Sequence, residues 1–142
     1  MSRSDIYRAI ESYEDAIDSY RQQIYKRKKK QEKLHALCRK FSSLQGSFGS
    51  RQSMRRRSLS KLTASNLHVK MLSAYCPGMN NLLNGTEFNH AYSGLGAAKT
   101  KIDWTINLLQ DEIDSFQDSI YRCERRISDL YDELSRMDED EE

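Results

Sequence analysis

The sequence predicts an all-α fold built on a long antiparallel two-helix hairpin, coiled-coil-like, with a short helix and a mobile basic loop in the connection. Three observations carry that expectation. Apolar residues recur at alternating steps of three and four in two separate blocks, the spacing that keeps one stripe of a helix against a partner. Helix formers concentrate in those blocks, and turn formers gather between them. The two stripes also match in length, since Ile6 to Phe48 and Leu95 to Met137 each span 42 steps, or about 60 Å at the rise of an α-helix.

The chain reads as one helical-hairpin domain, 1–142, with helix 1 over 3–45, a basic loop and short helix over 46–83, a long C-terminal helix over 84–137 and an acidic tail over 138–142. In the first block the stripe runs Ile6, Ile10, Tyr13, Ile17, Tyr20, Ile24, then Leu34, Phe41, Leu44 and Phe48, with Arg27 and Gln31 in phase between. Ser2 and Asp5 have capping-box spacing and mark the helix start. The cluster from Gly46 to Gly49 is expected to end it.

The last block steps Leu95, Ala98, Ile102, Ile106, Leu109, Ile113, Phe116, Ile120, Cys123, Ile127, Leu130, Leu134 and Met137. Asn84 and Glu87 have the spacing to cap its start, and Gly94 and Gly96 are expected to loosen its first turns. Asp138 to Glu142 reads as a frayed, solvated end. Set antiparallel, the stripes bring Ile24 near Ile120 and Phe41 near Ile102. The basic stretch Arg21 to Lys40 then falls opposite Asp103, Asp111, Glu112, Asp114 and Asp118, the flanking complementarity that sets helix-pair orientation.

The connection opens as a serine- and arginine-rich loop. It continues from Leu59 to Tyr75 with a short helix that Cys76, Pro77 and Gly78 would terminate. Nearly forty residues exceed a simple turn, so the segment is either a folded flap over one end of the pair or a partly disordered arm.

Composition narrows the function. Of 142 residues, 37% are hydrophobic and 31% charged, a balance suited to an elongated helix pair. No run of about 18 apolar residues suggests membrane insertion, and the charged N-terminal stretch does not fit a secretory leader. Three cysteines, an odd count without metal-type spacing, point to free thiols in the cytoplasm. No metal, cofactor or catalytic function is expected: the carboxylates lie among lysines and arginines, and neither a nucleophile elbow nor a phosphate-cradling glycine loop is present. The net charge of +2 argues against nucleic acid as a partner. The five cations from Lys26 to Lys30 point all around a helix and form no single reading face. Arg55, Arg56 and Arg57, followed by Ser58, are the better basic patch and have the form of a basophilic kinase site.

Trp104 sits off the stripe, with Leu108 one turn later. Either the pair supports the middle segment or it is an exposed anchor for a partner.

The stretch from Leu83 to Leu95 resembles the turn of the small WXG-type proteins of bacterial type VII secretion, and in particular their longer YwqH-like relatives encoded beside LXG-domain toxins. Gly85 fits the glycine of that turn, Leu83 stands where the tryptophan would be, and Phe88 and Ala91 exchange the aromatic and small positions that follow. The export signal of the family, Y-x-x-x-D/E after the second helix, is not matched: Tyr121 is followed by Arg125 and Tyr131 by Ser135. The resemblance implies a non-enzymatic accessory that binds the helical N-terminal domain of an LXG-type effector, as a homo- or heterodimer, and is exported with that partner. The alternative reading is a coiled-coil scaffold or adaptor whose basic, phosphorylatable loop binds nucleic acid or an acidic partner.

Overall fold

A computed structural model of the chain describes residues 1–64, 77–79 and 85–141. Two long helices, α1 (Arg3–Ala64) and α2 (Thr86–Glu141), pack against each other as an all-α hairpin. Residues 77–79 form a helical turn, and no strand occurs among the described residues. No helix of the described residues is long and apolar enough to cross a membrane.

The start of α1 is capped as its spacing predicts. The Ser2 hydroxyl and backbone N–H donate to the Asp5 carboxylate at 2.7 and 3.2 Å, and the Asp5 N–H donates back to the Ser2 hydroxyl at 3.2 Å. These bonds favour the ionised form and hold the Asp5 carboxyl below its usual range, helped by the nearby chain amino terminus.

Helix 1 does not end at Gly46. It continues to Ala64, so the stretch expected as a basic loop, Gly46 to Ser58, is helical throughout, and Arg55, Arg56 and Arg57 are helix residues. Two glycines cost a helix about 1 kcal/mol each relative to alanine, but neither adopts a positive φ. Beyond them the three-four stripe carries on, with Phe48 half-buried and Gln52 and Leu59 buried. No proline intervenes before Pro77. The remainder of the expected short helix, with Cys76 at its end, lies outside the described residues.

Two further expectations change at the other helix. Gly94 and Gly96 do not interrupt α2, which is continuous from Thr86. The acidic end is helical through Glu141, where Arg3 pairs with Asp138 at 2.5 Å and Glu141 at 2.6 Å. The capping residue expected at Asn84 lies outside the described residues.

The chain forms two compact units, Met1–Lys33 with Thr105–Glu142 (unit 1) and Leu34–Trp104 (unit 2). In unit 1, Ile6, Ile10 and Leu134 form a buried cluster against Ile127, Leu130 and Met137, while Ile17, Ile24, Ile106 and Ile113 are buried further along. The half-buried Tyr20 ring tilts against Phe116 at 5.7 Å. Arg27, in phase with the stripe, lies over the Phe116 ring at 4.6 Å, pairs with Glu112 and donates to Gln23 Oε1 at 2.8 Å. Gln31, the other polar residue in phase, donates to the Ile106 carbonyl and Gln110 Oε1. Arg27 and Gln31 therefore both have partners, as burial demands, whereas Arg3 Nε at the start of α1 is buried without one.

Unit 2 is built differently. The stripe passes over Gln45, and Leu44, expected on it, is 55% exposed. Gln45 Nε2 donates to the Tyr92 carbonyl at 3.2 Å. Phe48 stacks on Phe88 at 4.8 Å, and Phe88 on Tyr92 at 5.9 Å. Close approach uses glycine: a Cβ on Gly96 would sit 3.4 Å from Gln45 Nε2, and one on Gly49 would sit 3.5 Å from the Tyr92 ring. Phe48, expected opposite Leu95, instead meets Phe88, seven residues earlier on α2.

Candidate functional site

Among the described residues, no group of three His, Cys, Asp or Glu side chains is placed to hold a metal. Cys38 and Cys123 are free thiols, and Cys38 Sγ donates to Asp103 Oδ1 at 3.7 Å. The described residues singled out by the sequence lie on the surface of the two helices and at the start of α2.

Trp104 and Leu108 are both exposed, at 62% and 41%. Buried Ile102 and Ile106 hold the core-facing side of α2, which turns Trp104 to the outside. Two residues from a stripe position is roughly 200° around a helix, so this orientation follows from the spacing. A large indole on a helix surface is the group that anchors protein interfaces, since it offers wide apolar contact and one hydrogen-bond donor.

The residues of the turn motif are divided. Gly85 is a half-buried bend directly before α2, and its carbonyl accepts from the Asn89 N–H at 3.3 Å. Phe88 is half-buried in the Phe48–Tyr92 stack, and Ala91 is exposed. Leu83 lies outside the described residues. Gly85 and Phe88 thus position the start of α2, while Ala91 faces solvent.

The basic patch is broader than three arginines. Arg55, Arg56 and Arg57 are exposed on α1, as are Arg39, Lys40, Arg51 and Lys61 on the same helix. The signal was present in the sequence as an absence: no Asp or Glu occurs from Leu34 to Thr86. Counted by unit, unit 1 carries 13 Lys and Arg against 19 Asp and Glu, a formal −6. Unit 2 carries 10 against 2, a formal +8, which together give the chain its +2. The small net charge therefore conceals two strongly charged halves.

The opposition of Arg21–Lys40 to the acids of α2 is realised only in places. Arg27 meets Glu112, and Arg21 Nη2 lies 3.8 Å from Glu124. Lys26, Lys28, Lys29 and Lys30 remain exposed, with Lys29 over the Tyr25 ring at 5.5 Å. Exposed pairs of this kind contribute about 0–1 kcal/mol, so they orient the helices more than they stabilise them.

No known protein family, curated protein or solved structure matches this chain.

Proposed function

We propose that this protein is a non-enzymatic, YwqH-like accessory that binds the helical N-terminal domain of an LXG-type toxin for type VII secretion. The single observation that carries the reading is the outward placement of Trp104 and Leu108 on a hairpin whose own seam is filled without them. Binding would bury that pair against a helix of the effector, forming a shared bundle with no chemical step. Gly85 and Phe88 support the reading as turn residues at the start of α2. Export would occur with the partner, because the chain has no Y-x-x-x-D/E after Tyr121 or Tyr131.

The test is co-purification of the two proteins. A buried aromatic anchor commonly accounts for about 2 kcal/mol or more of binding, so Trp104→Ala should weaken capture of the effector domain by roughly thirtyfold and leave thermal unfolding unchanged. Undiminished capture by the variant would contradict the reading.

A second reading has its own support in the acid-free helix from Leu34 to Ala64. On it the protein is a coiled-coil scaffold whose Arg55, Arg56 and Arg57 bind an acidic partner or nucleic acid. Neutralising those three arginines would then abolish binding, and Trp104→Ala would not.

A further inference from the structure

Outside the seam, each unit carries a second three-four stripe that points away from the hairpin partner. On α1 in unit 2 it runs through Leu37, Lys40, Leu44, Arg51, Met54 and Lys61, all exposed, with Ser47 and Ser58 completing the steps. The stripe is aliphatic and basic. A shallow groove lined by Ala36, Lys40, Ser43 and Leu44 lies along it. On α2 in unit 1 the corresponding stripe runs through Asp114, Tyr121, Glu124, Tyr131 and Asp138, again all exposed, with Gln117, Ser128 and Ser135 between. This one is aromatic and acidic.

We infer that the basic stripe of α1 in one copy docks antiparallel on the acidic stripe of α2 in a second copy. The spacing of the two stripes selects that occupant. Leu44 and Met54 are ten residues apart, and so are Tyr131 and Tyr121, so both apolar pairs meet at once. In that same register Arg51 faces Glu124 and Lys61 faces Asp114, while Ser47 meets Ser128 and lets the helices approach. A parallel alignment that keeps the apolar pairs together puts Ser47 on Glu124 and Arg51 on Ser128, so it loses the central ion pair and keeps only Lys61 with Asp138. Helix pairs choose orientation by such flanking charges. The formal charges of the two units, +8 and −6, steer the encounter in the same sense. The contact is heterologous, one patch meeting a different one.

The inference is independent of the effector reading, because neither stripe includes Trp104 or Leu108. Sedimentation velocity over a wide concentration range, at low and high salt, tests it on the full chain. The wild type should self-associate at low salt and dissociate as salt screens the charges. Arg51→Glu and Glu124→Arg should each weaken association by about tenfold or more, since each sets like charges face to face. An equimolar mixture of the two variants, or both changes in one chain, should restore it. Lys61→Glu with Asp114→Lys repeats the exchange at a second pair, and circular dichroism should show unchanged helix content throughout. A wild type that stays monomeric at low salt would overturn the inference. So would association indifferent to salt, or a double exchange no better than either single change.

Discussion

Units 1 and 2 continue the same three-four stripe along the same two helices, yet they fill it with different chemistry. In unit 1 the buried positions are isoleucine and leucine, and the polar intruders Arg27 and Gln31 have several partners each. In unit 2 Leu59 and Ile102 are the only buried aliphatics of the stripe among the described residues, Gln45, Phe48 and Gln52 occupy other positions of it, and packing runs partly through glycine and stacked aromatics. Gln52 is 8% exposed, and its Nε2 has no hydrogen-bond partner. The difference teaches that periodicity decides where helices pair, whereas the residues at the stripe decide how tightly. Stability should therefore be concentrated in unit 1, with unit 2 the half that opens first.

The largest expected effect is in the aliphatic half. Ile113 is fully buried, so Ile113→Ala should cost about 2–5 kcal/mol in urea unfolding. A loss no greater than that of an ordinary surface change would mean the seam of unit 1 is loosely filled and the contrast is false. Half-buried Phe48 should matter less. Phe48→Ala removes one partner of the Phe88 stack and should cost roughly 1–2 kcal/mol. Its effect on amide exchange should be confined to unit 2, and a matching rise across Ile6–Ile24 would show that the halves unfold as one.

Much of this contrast is legible in the sequence. Every stripe position expected from Leu95 to Met137 is buried or half-buried, because isoleucine and leucine at steps of three and four leave a helix one way to hide them. The end of α1 is not legible. Gly46, Gly49 and the run of serine and arginine have loop composition, and they mask a stripe in which Gln45 and Gln52 stand where apolar residues would be conspicuous. Leu44 draws the seam one position off for the same reason. At the candidate site, the exposure of Trp104 follows from its offset from Ile102 and Ile106, and the charge division follows from counting acids. Leu83 lies outside the described residues.

The third prediction reverses sign. Gln52→Leu keeps the volume and removes an unpartnered buried amide, so it should stabilise the protein by about 1 kcal/mol. A lower urea midpoint in the variant would show that the amide is partnered after all. Trp104→Ala should shift stability by less than about 0.5 kcal/mol, the level of a surface change. If calorimetry instead shows the free protein unfolding early, the indole is a structural residue and the proposed anchor fails.

The smallest effect is at the first turn of unit 1. The folded Asp5 carboxyl lies below its unfolded value. Its cap therefore stabilises α1 fully above about pH 3.9 and is lost as pH falls through the lower folded value. First-turn amides should exchange faster, relative to their intrinsic rates, below that range, and Asp5→Asn should flatten the dependence.

Residue-resolved amide exchange on the intact chain tests the division most directly. Strong protection is expected at the stripe residues of Ile6–Ile24 and Ile106–Leu134. Weaker but distinctly helical protection is expected from Gln45 through Leu59, with the amides of Arg55, Arg56 and Arg57 included. Exchange at the unprotected rate from Gly46 onward would return that segment to a loop. Equal protection in both units would contradict the difference between an aliphatic half and one packed through glutamine, glycine and stacked rings.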